Sequence, residues 1–312
     1  MKYRYLFGPV LSRRLGMSLG VDLMPHKTCS MDCVYCECGR TTNLTTERKE
    51  YIPTELIIKE LSDFLGKKPE LDYVTFSGSG EPTLHSGIGK IIRYLKRNFS
   101  NYKIALITNG SMFHNAAVRR EVKIADVVLP SLDVVSDRNF EKVNRPERGL
   151  ENKKIINGLV NLRKIFDGKI WLEIFVIPGI NDSLSELKLL KNTVRKIMPD
   201  KIQINTLDRP GTEKWVVPEK YSKLNMIKKY FGRNSEIIVA PSRRKRKSGY
   251  LKKTENEILN TIKRRPCTFD DLLNSADLSE QKLNKYLDEL IKSKRIVSER
   301  LSRGEFFRVE KT

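Results

Sequence analysis

Between residues 18 and 240 the sequence alternates between two hydrophobic periods. Segments with apolar residues at helical spacing, such as Ile88, Ile91, Ile92 and Leu95, separate short β-branched or apolar runs. There are seven of these runs, at 19–24, 72–77, 103–108, 126–133, 169–177, 201–207 and 236–240. Such repetition of strand, helix and strand predicts parallel strands joined by right-handed crossovers.

This alternation predicts the α/β class and a partial (β/α)6-type barrel over residues 1–240, with an open doubly wound sheet as the alternative. In both folds the functional site lies at the carboxyl ends of the strands. Polar or glycine-containing segments stand at these positions, at 28–38, 77–83, 108–111, 131–133, 178–182 and 208–211. One end of the barrel is therefore predicted to be the site.

The pattern changes after residue 240. Residues 241–252 are expected to form a basic linker, since they contain five consecutive positive charges, Arg243 to Lys247. The sequence pattern of residues 253–312 predicts three helices (254–265, 268–277 and 279–294), followed by two strands around a turn at Arg303–Gly304. This order is typical of a winged helix-turn-helix domain, and a small α+β domain of another kind is the alternative.

The chain is strongly basic, with 59 Lys and Arg against 38 Asp and Glu and a net charge of +21. Residues 241–312 carry a net +8 of this charge. Such a balance favours an anionic partner such as nucleic acid, although a solvated lysine-rich surface gives the same composition. No apolar run is long enough for a membrane span, and the first residues lack the apolar core of a signal peptide. The sequence therefore predicts a cytoplasmic protein without membrane contact.

Four of the five cysteines, Cys29, Cys33, Cys36 and Cys38, lie within ten positions. A reducing compartment disfavours a disulfide cluster. A structural zinc site needs four ligands, and the fourth would have to come from Cys38 or His26, which makes an awkward tetrahedron. Three thiolates spaced C-x3-C-x2-C instead leave one iron of a [4Fe–4S] cube without a protein ligand, although ordinary ferredoxin clusters use four cysteines.

The motif C-x3-C-x-Φ-C, with Tyr35 as the aromatic residue Φ, resembles the cluster loop of the radical S-adenosylmethionine (radical SAM) superfamily. The segments "SGSGEPT" (77–83), "TNGS" (108–111) and "SLD" (131–133) resemble the later strand-end elements of that superfamily, and "FEKVNRP" (140–146) and "VIPGIND" (176–182) also look similar. The resemblance implies that Cys29, Cys33 and Cys36 hold a [4Fe–4S] cluster whose free iron binds S-adenosylmethionine. It further implies reductive cleavage to a 5′-deoxyadenosyl radical that abstracts hydrogen from a substrate, with an external electron donor of the flavodoxin or ferredoxin type.

The same resemblance assigns roles in binding S-adenosylmethionine. Tyr35 would stack near the adenine, and the backbone around Gly78, Gly80 and Glu81 would approach the methionyl amine. Asn109, Ser131 and Asp133 would donate to or accept from its carboxylate and ribose. Purely local roles are the alternative for three of these residues: a helix N-terminal charge for Glu81, a helix cap for Asp133 and a plain turn at Asn109. Cys38 is expected to be a bystander or a resolving thiol.

Residues 5–23 and 28–42 are similar to Fe–S oxidoreductases related to archaeal wyosine-type tRNA synthases. Those enzymes carry a second cluster on three upstream cysteines, whereas no cysteine precedes Cys29 here. A looser relation is therefore expected, without wyosine activity. Arg13 and Arg14 could clamp a phosphate or carboxylate of the substrate, or form a salt-bridged surface pair.

Three classes of function remain open from the sequence. The first is an enzyme that modifies RNA, such as tRNA, delivered by the basic C-terminal domain. The second is an enzyme that modifies a peptide or protein. The third is an iron–sulfur regulator that binds DNA, which is disfavoured because a sensor does not need the elements that bind S-adenosylmethionine.

Overall fold

The computed structural model of the protein describes residues 3–238, 255–275, 278–301 and 303–309. The strands of its N-terminal part are β1 (Leu6–Ser12), β2 (Gly16–Val21), β3 (Thr28–Cys29), β4 (Asn43–Leu44), β5 (Tyr73–Phe76), β6 (Lys103–Thr108), β7 (Val127–Pro130), β8 (Lys169–Phe175), β9 (Lys201–Asn205) and β10 (Ser235–Ile237). The helices of this part are α1 (Thr54–Leu65), α2 (Ile88–Asn98), α3 (Ala116–Val122), α4 (Asp137–Val143), α5 (Asn152–Arg163), α6 (Leu184–Ile197) and α7 (Tyr221–Phe231).

Eight of these strands form one curved sheet in the order β1-β2-β5-β6-β7-β8-β9-β10. β1 pairs antiparallel with β2, and all other neighbours are parallel. The carboxyl ends of the parallel strands lie side by side, since Val21 pairs with Phe76 and Thr108 pairs with Pro130. This is a partial barrel, which confirms the predicted fold class and places the polar strand-end segments at one edge.

The helices cover the outer face of the sheet, and their apolar stripes pack with the buried residues of the strands in one core. The stripe of α2, Ile88, Ile91, Ile92 and Leu95, is completely buried. A smaller apolar cluster of Leu15, Ala105, Val127 and Leu129 packs with Ile107 and Trp171. Leu15 comes from the turn between β1 and β2, so this hairpin packs against strands β6, β7 and β8.

The hairpin strand β1 was not predicted from the sequence. The pair Gly8–Pro9 interrupts its apolar pattern, and the register with β2 shifts between Phe7 and Val10. Glycine and proline are weak strand formers, so a sequence pattern with both is not typical of a strand. Packing against β2 overrides this local preference.

The C-terminal part contains the three helices and two strands that the sequence predicts, together with a short strand, β11 (Cys267–Thr268), that it did not predict. They are α8 (Glu255–Arg264), β11 (Cys267–Thr268), α9 (Phe269–Ser275), α10 (Glu280–Lys292), β12 (Val297–Leu301) and β13 (Gly304–Arg308). Its three strands form a sheet in the order β11-β13-β12, and its helices bury a separate apolar core around Leu283, Leu287 and Leu290. The predicted basic run Arg243 to Lys247 lies outside the described residues.

Among the described residues no helix is both long enough and apolar enough to span a bilayer.

Candidate active site

The segment that carries the cysteines, residues 22–38 (the cysteine loop), leaves the carboxyl end of β2 and is held by backbone hydrogen bonds on both sides. Thr28 and Cys29 pair with Asn43 and Leu44. The amide of Val34 donates to the carbonyl of Val143 at 2.9 Å. These contacts place the loop between its own return segment and the end of α4.

Each of the three predicted ligand thiols is in contact with one side-chain nitrogen donor, two of which come from distant parts of the chain. Asn109 Nδ2 lies 3.5 Å from Cys29 Sγ, and Asn144 Nδ2 lies 3.5 Å from Cys33 Sγ. Lys27 Nζ lies 3.1 Å from Cys36 Sγ. Donors of this kind stabilise thiolates, which are the form that binds iron.

The pKa values of these thiols divide them into two kinds. Burial raises the pKa of Cys29 to about 12 and raises that of Cys33 well above the ordinary value. A hydrogen bond from Cys38, together with the charge of Lys27, lowers the pKa of Cys36 to about 6. The contacts with Cys38 and Lys27 therefore favour the thiolate form of Cys36.

The donor set fits an iron–sulfur cluster. The three thiols are unbridged, and each has a donor that can offset a thiolate charge. In the described part of the chain no three His, Cys, Asp or Glu side chains converge on a point that would hold a single metal ion. The three thiols of a cube bind three different iron ions, so they need not converge in this way. When bound, the cluster supplies the electron that cleaves S-adenosylmethionine.

Cys38 lies beside the three thiols but makes different contacts. Its Sγ lies 3.7 Å from the carbonyl oxygen of Gly78, and it is hydrogen bonded to Cys36. Neither partner is a nitrogen donor of the kind that contacts Cys29, Cys33 and Cys36. The interpretation of Cys38 as a non-ligand stays a prediction.

Tyr35 and Asp133 form one buried unit. The Tyr35 hydroxyl donates to Asp133 Oδ2 at 2.5 Å, and Asn144 Nδ2 donates to the same oxygen at 3.0 Å. The amide of Phe175 donates to Oδ1 at 2.9 Å, and the ring of Phe175 stacks on Tyr35 with 4.0 Å between centroids. Burial raises the pKa of Asp133 to about 6. In this structure one face of Tyr35 is covered by Phe175, so only the other face is left for an adenine.

Glu81 is buried and joins two of the strand-end segments. Its Oε1 accepts from the hydroxyl of Thr108 at 2.6 Å and from the amide of Thr83 at 3.0 Å, and its Oε2 accepts from the amide of Asn109 at 2.8 Å. Burial raises its pKa in spite of these donors. The carboxylate therefore acts on the position of Asn109, which in turn contacts Cys29.

Gly78 and Gly80 are required by close packing inside the protein. A Cβ at Gly80 would stand 2.2 Å from the carbonyl oxygen of Thr28, and one at Gly78 would stand 2.2 Å from a carboxylate oxygen of Asp22. Both values are below any real contact, so the loop 77–83 lies directly against the start of the cysteine loop.

Several of the predicted residues line one cavity at the carboxyl end of the barrel. The lining includes the predicted residues Tyr35, Asn109, Ser131 and Asp133. Asn144, to which the sequence motifs assigned no role, lines the same cavity. Asn144 lies within the segment "FEKVNRP" (140–146). The resemblance of this segment to the superfamily is the sequence feature that could have identified Asn144 as a site residue. Lys27 was also missed, because a lysine next to a cysteine motif is usually an ordinary exposed charge.

Arg13 and Arg14 each contact a carboxylate of this chain. Arg14 forms an ion pair with Glu173, on β8, and Arg13 Nη1 lies 3.3 Å from Asp208 Oδ2. Burial lowers the pKa of Arg13. In this structure the two arginines are paired within the protein, and a role as an anion clamp would require an exchange of partners.

A network of ion pairs that includes Asp208 connects the cysteine loop to the C-terminal part. Arg209, only 3% exposed, lies 3.3 Å from Glu37 and 2.6 Å from Asp271 on α9. Arg303 contacts both Asp271, at 2.6 Å, and Asp208, at 3.1 Å. α9 is thereby held beside the loop that carries the cysteines.

Comparison with known proteins agrees with this geometry. The profile of the Radical SAM superfamily matches residues 23–189. A UPF0026 protein from Methanocaldococcus jannaschii is 33% identical over 91% of this chain and 90% of its own length. A GTPase Obg from Brachyspira hyodysenteriae is 37% identical over 96% of this chain, which spans 44% of that protein. A probable dual-specificity RNA methyltransferase RlmN from Thermotoga maritima is 28% identical over 60% of this chain and 56% of its own length.

Solved structures share the fold at low sequence identity. A radical SAM methyltransferase from Sphaerobacter thermophilus superposes with a TM-score of 0.54 at 16% identity, over 70% of this chain and 65% of its own. SuiB from Streptococcus suis, bound to S-adenosylmethionine, gives 0.54 at 12% identity, over 72% of this chain and 51% of its own.

The chain belongs to the radical SAM superfamily and, within it, to the UPF0026 family. It is an iron–sulfur enzyme whose cofactors are a [4Fe–4S] cluster and S-adenosylmethionine. The more specific relation to wyosine-type synthases stays a prediction.

Proposed function

We propose that this radical SAM enzyme modifies RNA, with Cys29, Cys33 and Cys36 as the cluster ligands and the C-terminal part as the RNA-binding module. The observation that carries the proposal is the buried network around Arg209. It ties α9 to Glu37, which lies in the cysteine loop itself. A substrate held by the C-terminal part would therefore lie close to the radical chemistry.

The architecture of the C-terminal part supports this module. Its order of helix, strand, two helices and two strands is compatible with a winged helix, the proposed fold, in which the third helix would bind nucleic acid. Ser279 caps that helix, α10, through the amide of Lys282 at 3.3 Å. The buried face of α10 holds Leu283, Leu287 and Leu290, which leaves its polar residues outward.

The charge of the exposed side chains also favours an RNA partner. In α10 and the segment after it, six exposed basic residues stand against the exposed acidic residues Glu280, Asp288 and Glu289; the basic ones are Lys282, Lys285, Lys292, Lys294, Arg295 and Arg300. Neutralisation of phosphates by such residues releases counterions and supplies most non-specific affinity. The similarity of residues in the barrel to an RNA methyltransferase RlmN agrees with this substrate class.

A salt titration of tRNA binding tests the proposal. Affinity should fall roughly 10³-fold between 50 and 200 mM salt if six or more phosphates are engaged. The double charge reversal Lys282→Glu and Lys285→Glu should weaken binding and flatten this salt dependence. The matched control reverses Lys188 and Lys196, which are exposed on α6 of the barrel.

A flat salt dependence would contradict the RNA proposal and favour the peptide or protein class of substrate. Comparison of modified nucleosides and modified peptides between wild-type and deletion cells then identifies the class. Loss of a nucleoside modification in the deletion strain is the result that the proposal predicts.

A further inference from the structure

Lys27 is a buried cation in the cysteine loop, two residues before Cys29. Only 3% of its surface is exposed. Burial of an ammonium group is costly unless an anion compensates it. Lys27 Nζ lies 3.1 Å from Cys36 Sγ, and no carboxylate is among its ion-pair partners in the described ranges. The group beside the ammonium that can carry a compensating negative charge is thus the sulfur of Cys36.

The backbone holds this side chain in place from both directions. The amide of Lys27 donates to the carbonyl of Ser79 at 3.1 Å, and its carbonyl accepts from the amides of Thr42 and Asn43 at 3.1 Å each. Its φ of +56° lies in the left-handed region, which a residue with a side chain seldom occupies. The local fold therefore accepts backbone strain at the position that brings the ammonium group to the cysteine.

Lys27 differs from the other two donors in charge. Asn109 and Asn144 contact Cys29 and Cys33 with neutral amide groups. A [4Fe–4S]²⁺ core with three thiolates carries a net charge of −1, and one added electron makes it −2. A fixed positive charge against one ligand sulfur stabilises the reduced form more than the oxidised form.

We propose that Lys27 is a built-in counter-charge of the iron–sulfur cluster, which raises its reduction potential and favours the one-electron reduced state. The step is a transfer of one electron from an external reductant to the core, from [4Fe–4S]²⁺ to [4Fe–4S]⁺, with no bond formed or broken. The proposal rests on ligation by Cys29, Cys33 and Cys36. Lys27 is a positioning and tuning residue and does not act on substrate.

The test is a redox titration followed by electron paramagnetic resonance, on the full chain reconstituted anaerobically without S-adenosylmethionine. Lys27→Met and Lys27→Gln should each hold four iron ions per chain and show a midpoint potential more negative than that of the wild type. Lys27→Arg, which keeps the positive charge, should have a midpoint potential close to that of the wild type. The matched control is Lys49→Met, since Lys49 is half-exposed and pairs with Glu47.

A full cluster with the wild-type midpoint potential in both neutral variants would overturn the proposal. If neither neutral variant assembled a cluster while Lys27→Arg did, the role of Lys27 would lie in assembly, and the proposal would be overturned as well. A wild-type preparation without four iron ions per chain would instead contradict the ligand assignment.

Discussion

At the scale of single residues, the site is organised by buried polar side chains that contact one another before they contact any cofactor. Asp133 and Glu81 each accept several hydrogen bonds inside the protein. Because an unsatisfied buried acceptor costs about 1–3 kcal/mol, these groups must be paired for the strand ends to keep their positions. Their effect on catalysis is then one of positioning as well as direct contact.

Tyr35→Phe tests the buried pair of Tyr35 and Asp133. Loss of the hydroxyl leaves Asp133 Oδ2 with one donor, so the free energy of unfolding should fall by about 1–2 kcal/mol in urea titrations of the anaerobic apoprotein. Tyr51→Phe is the matched control, because the Tyr51 hydroxyl donates to the carbonyl of Glu47 at the surface. An equal decrease in the free energy of unfolding in the two variants would mean that the buried hydrogen bond contributes no more to stability than the surface one.

At the scale of elements, the contacts between strand-end loops decide whether the cysteine loop holds its shape. The loop 77–83 lies so close to Thr28 that only glycine fits at position 80. The sequence motif alone suggested that this glycine serves a cofactor. The structure adds a packing reason that comes from the chain itself.

Gly80→Ala should disturb the cysteine loop and lower the iron content of the reconstituted protein. The added Cβ would meet the carbonyl oxygen of Thr28 at 2.2 Å and Met24 Cβ at 2.8 Å, so the backbone must shift. Gly179→Ala is the control, since it has φ of +73° and open space around its Cβ position. It should cost about 1 kcal/mol of backbone strain and leave the iron content unchanged. Full iron content in Gly80→Ala would show that the loop tolerates the shift.

Much of the barrel could be predicted from the sequence because its strands are buried and its helices are amphipathic. All seven predicted runs contain or overlap strands of the main sheet. β1 could not be predicted, because its pairing with β2 is a tertiary preference that outweighs Gly8 and Pro9. The cysteines and the strand-end motifs were visible as patterns, whereas the contacts of Lys27 and Asn144 depend on how distant loops meet.

At the scale of the whole molecule, the C-terminal part is joined to the barrel by ion pairs around the buried Arg209, whose partners are partly buried. Burial alone would raise the pKa of Asp271, but Arg209 and Arg303 lower it to about 2. A carboxyl group with a lowered pKa in the folded state contributes stability above its unfolded pKa and loses it as the pH falls. The ion pairs of Asp271 with Arg209 and Arg303 should therefore stabilise the folded protein at neutral pH, and this stabilisation should be lost in acid.

Asp271→Asn measures this contribution. The free energy of unfolding of the wild-type apoprotein should decrease by about 2 kcal/mol as the pH falls from about 4 to about 2, beyond the decrease seen in the variant. Urea titrations followed by circular dichroism across this range supply the values. Asp270→Asn, at the neighbouring position, is the control and should follow the wild type. Parallel pH curves for wild type and Asp271→Asn would contradict the assigned role of this pair.

Ligation of the cluster by three cysteines, with an open iron site for S-adenosylmethionine, is tested by formation of 5′-deoxyadenosine from S-adenosylmethionine in the reduced, reconstituted protein, measured together with iron per chain. Four iron ions and 5′-deoxyadenosine are expected in the wild type and in Cys38→Ala, and both should be lost on substitution of Cys29, Cys33 or Cys36. Loss of the cluster in Cys38→Ala, or a full cluster without any 5′-deoxyadenosine in the wild type, would contradict this assignment.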